Sequence, residues 1–235
     1  MNKIYITLIL FIVSFFIIFI FKNENKKLIN NNYNSSILNK IYICKDPMIY
    51  IVDNFISDLE CTYIIGQSKD KLIKTKVVSG SNFIIKNNVR NNSNYWINFD
   101  NNSKIYKICK RISSLVNMPL SNSESLQVIH YNHNEKYKPH YDGWYENDVN
   151  NMSKGQRLFT CIIYLNDVEA GGETVFPKLK IKIKPKKGRI LVFSNTYKDT
   201  EKLHKLSLHE GTNVIKGEKW ACNLWFRNKV YQRLN

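Results

Sequence analysis

The chain has 235 residues, of which 43% are hydrophobic and 13% aromatic, so it has enough apolar material to build a core. Its formal net charge is +16, from 35 Lys and Arg against 19 Asp and Glu. The lysines are scattered, so we interpret the excess as solvated surface and expect no nucleic-acid partner. None of the five cysteines forms a CxxC pair, which argues against a zinc knuckle.

The chain opens on an apolar run. Ile4–Phe21 contains no charged residue and is close to the ~20 residues that a helix needs to cross a bilayer. A cleaved signal peptide is the alternative, but its apolar region is usually shorter and ends in small residues, whereas this run ends in FKNENKK. We therefore predict a transmembrane anchor over residues 1–22. The few lysines that flank it weakly favour a cytoplasmic position for the rest of the chain.

Residues 23–45 are rich in Asn and polar, and we predict a linker there. Residues 46–120 are predicted to form a helical lead-in with a long loop. A first helix is indicated by the capping-box spacing of Ser57 and Glu60. Apolar residues then recur at helical spacing, namely Leu59, Tyr63 and Ile64. A second helix is predicted within Ser103–Met118, because its apolar residues share one face.

The character of the chain changes after Pro119. Short runs with period-two patterning follow one another, separated by Gly, Asn and Asp. This pattern is typical of an all-β sandwich, barrel or jelly roll, which we assign to residues 121–235. The predicted fold class is thus mainly β with a helical lead-in (α+β).

A histidine and an aspartate lie two residues apart in the segment KPHYDGW. If this segment is a strand, His140 and Asp142 point to the same face and can both contact one metal ion. His209, in a distant strand-like run, is a candidate third ligand. Two histidines and one carboxylate suit Fe(II) with open positions for oxygen chemistry, whereas zinc usually prefers a tetrahedral site. The alternative is a polar patch on an edge strand.

Lys219 is a candidate partner for a co-substrate carboxylate. In GEKWACNLWFR, period two places Lys219 and Trp225 on one face and an apolar set of residues on the other. A lysine inside a barrel is costly unless it is paired, and the far carboxylate of a chelating 2-oxo acid would pair it. The alternative is that this face is exposed to solvent and Lys219 is an ordinary surface residue.

Four segments resemble the catalytic domain of prolyl 4-hydroxylases, which are Fe(II)- and 2-oxoglutarate-dependent dioxygenases. They are Leu126–Asp142, Thr160–Pro177, Lys184–Phe193 and Leu206–Arg227. The resemblance implies a double-stranded β-helix (jelly roll) domain.

Residue by residue, the resemblance implies three kinds of contact. His140, Asp142 and His209 match the iron ligands, and Lys219 matches the lysine that pairs with 2-oxoglutarate. Tyr131 and Thr174 match further co-substrate contacts. The residues matching those that line the peptide groove are Tyr137, Arg157 and Trp225. The segment from Val78 to Asp100 falls where the family has a mobile lid, whereas His130, His133 and His204 are not expected to be ligands.

The activity implied is hydroxylation of peptidyl proline to 4-hydroxyproline with O₂, Fe(II) and 2-oxoglutarate, releasing succinate and CO₂. L-ascorbate is implied as a reductant, and a proline-rich or collagen-like polypeptide as the substrate. Anchored relatives imply a single-pass membrane protein whose catalytic domain faces the lumen of the endoplasmic reticulum or Golgi. Two alternatives stay open: hydroxylation of another target, such as a lysyl side chain or a nucleobase, and a non-catalytic jelly roll that binds proline-rich peptides.

Overall fold

A computed structural model describes residues 39–75, 77–79, 82–84, 89–100 and 103–232. The predicted anchor over residues 1–22 and most of the predicted linker lie outside the described residues. Within the described ranges, no helix is long and apolar enough to cross a membrane.

The described residues form short strands and three helices. The helices are α1 (Asp58–Ser68), α2 (Lys104–Val116) and α3 (Val149–Met152). The strands, in chain order, are β1 (Ile41–Cys44), β2 (Ile49–Val52), β3 (Ile73–Lys74), β4 (Val77–Ser79), β5 (Asn82–Ile84), β6 (Ser93–Ile97), β7 (Leu126–Tyr131), β8 (Tyr137–His140), β9 (Arg157–Tyr164), β10 (Ala170–Gly171), β11 (Thr174–Phe176), β12 (Ile181–Ile183), β13 (Ile190–Ser194), β14 (His209–Gly211), β15 (Val214–Lys216) and β16 (Lys219–Arg227).

Helix α1 begins at the predicted capping box. The Ser57 hydroxyl accepts a hydrogen bond from the Glu60 amide, and the Glu60 carboxylate accepts one from the Ser57 amide. The helix buries Cys61 and Ile64. Leu59, expected on the apolar face, is instead 83% exposed. It precedes Cys61 by two residues, and two residues of an α-helix turn through about 200°, so Leu59 faces away from the core.

Helix α2 confirms the second predicted helix. Ser103 caps its first turn by accepting from the Tyr106 amide, and Asn117 ends it in the left-handed conformation at φ 53°. Its apolar residues are buried on one face, as the periodicity predicts. The buried set is Ile105, Ile108, Cys109, Ile112 and Leu115.

The larger sheet has eight strands in the order β1-β2-β13-β9-β16-β7-β6-β3. Strands β2, β3 and β6 of this sheet come from the segment predicted as a helical lead-in, so that segment also supplies strands to the sheet. Strand β1 begins at Ile41, inside the stretch predicted as linker. Strand β2 has the sequence IYIV and is buried throughout, because an uninterrupted apolar strand fits a position covered on both faces.

The smaller sheet has the order β12-β11-β14-β8 and completes the jelly roll. One buried apolar cluster packs the larger sheet against α1 and α2, and a second fills the space between the two sheets. Strand β16 contributes Trp220, Cys222, Leu224 and Phe226 to the first cluster, which confirms the predicted period-two alternation. Cys161 and Cys222 are buried, as expected, and no disulfide joins the cysteines in the described residues.

Candidate active site

The predicted metal ligands converge at the end of the smaller sheet. Strand β8 ends at His140, strand β14 begins at His209, and these two residues are paired in the sheet register. Asp142 lies just beyond β8, so a turn rather than the face of a strand directs its carboxylate to the site. Asp142 Oδ1 lies 3.7 Å from His140 Nε2, and Asp142 Oδ2 lies 3.5 Å from His209 Nε2.

Both imidazoles are oriented by backbone carbonyls. His140 Nδ1 lies 2.8 Å from the Lys138 oxygen, and His209 Nδ1 lies 3.0 Å from the Ser207 oxygen. Because a carbonyl only accepts, each Nδ1 carries the proton, and each neutral ring presents the Nε2 lone pair to the site. This tautomer is the one that a metal ligand needs.

Burial and neighbouring charge set the protonation of His140 and Asp142. The pKa of His140 is lowered to about 3, first by burial and then by His209. Burial alone would raise the pKa of Asp142, but His209, His140 and Arg157 outweigh it and hold that pKa below its usual range. The site therefore offers neutral imidazole and a carboxylate at neutral pH. This donor set fits a divalent metal of the non-haem Fe(II) type, and it forms the one such cluster among the described residues.

Lys219 begins β16 and is only 3% exposed, so the solvent-exposed alternative is wrong. Its Nζ lies 5.3 Å from the centre of the Tyr131 ring and 5.5 Å from that of Tyr164. Burial lowers its pKa to about 8, against the attraction of Glu173. No hydrogen bond or ion pair to this ammonium is formed by the residues that the structure describes. A buried cation without a partner creates a strong preference for an anion in the adjacent space.

The space beside Lys219 is kept open by a glycine. A Cβ built on Gly211 would lie 3.5 Å from the Tyr131 hydroxyl and 4.0 Å from Lys219 Nζ. Thr174 is buried nearby, and its hydroxyl accepts a hydrogen bond of 2.8 Å from Tyr164. Tyr131, Thr174 and Lys219 line the same cavity as the predicted metal ligands, with a volume of about 270 Å³.

Arg157 and Trp225, predicted to line the peptide groove, are in contact. The guanidinium carbon of Arg157 lies 3.9 Å from the centre of the Trp225 ring. Its Nε and Nη2 atoms donate to the carboxylate of buried Glu124 at 2.6 and 2.7 Å. Arg227 donates to the same carboxylate at 2.8 Å. Glu124 was not singled out from the sequence, because nothing local distinguishes it from a surface acid.

Tyr137 packs directly on His140, a predicted metal ligand. Its ring is stacked on His140, with ring centres 3.5 Å apart, and the Arg90 guanidinium covers its other side at 4.5 Å. Arg90 belongs to the segment predicted as a lid. Part of that segment is strand β6, which pairs with β7 in the larger sheet, so the segment is not a single irregular loop.

Two further polar residues of the cavity wall were missed from the sequence. Gln127 Oε1 and Asn223 Oδ1 are buried and lack a hydrogen-bond partner among the described residues. They lie on neighbouring strands, where Gln127 pairs with Asn223 in the register. The period-two pattern that places Lys219 and Trp225 on one face of β16 also places Asn223 there, so this pattern could have predicted Asn223 as a cavity residue.

The remaining histidines lie apart from the metal cluster. His130 contacts Glu218 at 2.7 Å, and His133 is exposed. His204 lies in an irregular segment, as expected, and it is buried there, 1% exposed, in contact with Asp46 at 3.1 Å. The expectation that these three are not ligands agrees with the geometry, because the cluster contains none of them.

The fold and the donor set point to one class of oxygenase, and sequence comparison agrees. The family model described as the 2OG-Fe(II) oxygenase superfamily matches residues 126–227. A protein of Acanthamoeba polyphaga mimivirus that carries a prolyl 4-hydroxylase name is 36% identical over 77% of this chain and 75% of its own. Prolyl 4-hydroxylase 5 of Arabidopsis thaliana is 34% identical over 77% of this chain and 68% of its own.

A solved structure extends the likeness to three dimensions. The viral collagen prolyl hydroxylase of Paramecium bursaria Chlorella virus-1, crystallised as its 2OG complex, is 33% identical. It superposes with a TM-score of 0.62 over 79% of this chain and 98% of its own. The chain belongs to the prolyl 4-hydroxylase family of 2OG-Fe(II) oxygenases.

Proposed function

We propose that the protein hydroxylates peptidyl proline to 4-hydroxyproline, consuming O₂ and 2-oxoglutarate and releasing succinate and CO₂. One observation carries the proposal. The side chains of His140, Asp142 and His209 converge in a cavity that also holds the buried ammonium of Lys219, for which the described residues provide no partner. A cavity with these two features suits a co-substrate that chelates a metal at one end and carries a negative charge for the lysine at the other.

His140, Asp142 and His209 would hold Fe(II), and the metal would supply the oxidative chemistry that no side chain provides. Lys219 would bind the far carboxylate of 2-oxoglutarate, with Tyr131 and Thr174 beside it. A charge-assisted hydrogen bond to that carboxylate is worth roughly 1.5–3 kcal/mol net. The buried side chains of the cavity wall would limit the access of water to the reacting groups.

The peptide would lie against the aromatic wall. Tyr137, Arg157 and Trp225 line the cavity, where the edges of the aromatic rings would contact a proline ring and Arg157 would offer donors for a peptide carbonyl. Names of relatives that refer to prolyl and collagen hydroxylation support a proline-rich or collagen-like substrate. The excess of lysine is spread over the chain, so it gives no support to a nucleobase substrate.

Three parts of the proposal rest on the sequence. L-ascorbate would restore iron that is oxidised in uncoupled turnovers, as the family resemblance implies. The uncharged run Ile4–Phe21 would anchor the chain in a membrane as a single span. As anchored relatives imply, and against the weak signal of the flanking lysines, the catalytic domain would face the lumen of the endoplasmic reticulum or Golgi. Glycosylation at an N-x-S sequon such as the one at Asn151 would test that orientation.

The direct test incubates the full-length chain with Fe(II), 2-oxoglutarate, ascorbate and (Pro-Pro-Gly)-type peptides. Mass spectrometry should show an oxygen-dependent gain of one oxygen atom on proline, with an equal yield of succinate. A matched lysine-containing peptide and a single-stranded oligonucleotide should remain unmodified, and modification of either in place of the proline peptide would establish the other target. If the chain neither binds iron nor consumes 2-oxoglutarate, the remaining alternative is a non-catalytic domain that binds proline-rich peptides.

A further inference from the structure

We propose that Thr160, held by Asn195, is a positioning residue for Asp142. The inference rests on the metal-binding role of Asp142 proposed above. Thr160 lies on β9 and is fully buried, and its hydroxyl donates a hydrogen bond of 2.8 Å to Asp142 Oδ2. Asn195, also fully buried, donates from Nδ2 to Thr160 Oγ1 at 2.9 Å. The three side chains form a continuous buried chain that ends at the carboxylate.

The chemistry of these groups fixes which atom donates and which accepts in each of the two hydrogen bonds. An amide nitrogen only donates, so Thr160 must accept from Asn195. A carboxylate only accepts, so the hydrogen bond between Thr160 and Asp142 must use the single hydroxyl proton of Thr160. Asn195 thus orients the hydroxyl of Thr160, and Thr160 in turn orients the carboxylate of Asp142.

This arrangement matters because Asp142 presents both oxygens to the two histidines. With Oδ2 held by Thr160, Oδ1 is directed at His140 Nε2 and Oδ2 at His209 Nε2. Rotation of the carboxylate away from these atoms breaks the hydrogen bond from Thr160. Hydrogen bonds that orient a metal ligand typically raise metal affinity about 10–100-fold.

Buried side chains also hold the backbone that follows Asp142. Gln156, fully buried, accepts from the Trp144 amide at 3.0 Å and donates to the Trp144 carbonyl at 2.7 Å. A Cβ on the intervening Gly143 would lie 3.0 Å from Leu203 Cδ1 and 3.4 Å from Asn195 Cβ. The turn at Gly143 therefore packs tightly on Asn195. Asp142 is thus held both through the neighbouring backbone and through its carboxylate.

The test measures Fe(II) affinity of the full-length chain by anaerobic calorimetry, without co-substrate or turnover. Thr160→Val keeps the shape of the side chain and removes its proton, and we expect Fe(II) affinity to fall about tenfold or more. Thr160→Ser keeps the hydroxyl and should stay within about threefold of wild type. Asn195→Ala should lower affinity by a smaller factor, and it should have no further effect in a Thr160→Val background, because it acts through that hydroxyl.

The control is Thr75→Val, which removes another buried threonine hydroxyl, one that accepts from Asn94 away from the cavity. It should lower the Tm without changing Fe(II) affinity. Wild-type affinity in Thr160→Val, with a Tm loss like that of the control, would overturn the proposal. If Thr160→Val does not fold, Thr160→Ala and Asn195→Ala replace it, and unchanged affinity in both overturns the proposal. Absence of Fe(II) binding by the wild-type chain would instead refute the metal site itself.

Discussion

Glu124 holds Arg157 in a two-point ion pair, with Oε1 to Nε at 2.6 Å and Oε2 to Nη2 at 2.7 Å. The guanidinium fixed in this way covers the Trp225 ring at 3.9 Å. A buried acid behind the cavity wall therefore sets the position of a cation and an aromatic ring on its surface. This relationship connects the stability of the fold to the shape of the proposed peptide groove.

The first prediction concerns that ion pair. Glu124→Gln keeps the size of the side chain but leaves Arg157 and Arg227 without their negative partner. Breaking a buried pair on one side typically costs about 3–5 kcal/mol of unfolding free energy, which urea denaturation would measure. We also expect a higher KM for a proline-rich peptide and an unchanged KM for 2-oxoglutarate. Equal effects on both KM values would argue for a general loss of structure.

The pH dependence of stability gives a second prediction. Burial would raise the pKa of Glu124, but the two arginines outweigh it and lower that pKa below its usual range. Glu124 therefore binds its proton more readily in the unfolded chain than in the folded one. The stabilisation that the ionised Glu124 gives to the folded chain is present above the unfolded pKa of about 4.3. It is lost as the pH falls through the lower folded value. Urea unfolding below pH 4 should show a smaller slope with pH in Glu124→Gln than in wild type.

Lys219→Met should separate co-substrate binding from metal binding. Loss of the ammonium should raise the KM for 2-oxoglutarate by about tenfold or more, which corresponds to the roughly 1.5–3 kcal/mol of a charge-assisted bond. Fe(II) affinity should be unchanged, because the lysine belongs to the opposite end of the proposed co-substrate. An unchanged KM would mean that the far carboxylate binds elsewhere in the cavity.

The same variant tests the electrostatics of the chain without ligands. Burial lowers the pKa of Lys219 to about 8, below the unfolded value of about 10.4. Between these values the unfolded chain binds more protons, so wild-type stability should rise with pH from about 8 to about 10. Lys219→Met should lack this rise when unfolding is followed by urea at several pH values. A rise of equal size in the variant would assign it to another group.

The metal ligands give the most direct prediction. Asp142→Ala leaves two imidazoles and removes the carboxylate, so Fe(II) affinity should fall by at least about 100-fold and succinate formation should stop. Anaerobic calorimetry and succinate yield measure the two effects independently. Normal turnover by this variant would refute the assignment of Asp142 as a ligand.

Several features followed from local pattern alone. The capping box at Ser57, the amphipathic face of α2 and the alternation along β16 depend on contacts between residues close in sequence, or on a fixed periodicity. Their outcome in the structure matches the prediction for that reason. Leu59 departs from the predicted pattern, because its exposure depends on which distant elements cover the helix. The burial of His204 within its irregular segment depends on distant contacts in the same way.

The sequence by itself determined the β character of the domain, the candidate donors and the family, since residue types and spacings carry that information. Only the tertiary structure decided how the donors meet. It pairs His140 with His209, places Thr160 and Asn195 behind Asp142, and sets Glu124 between two arginines. These contacts join residues far apart in the chain, and no local pattern records which strands become neighbours when the apolar faces are buried.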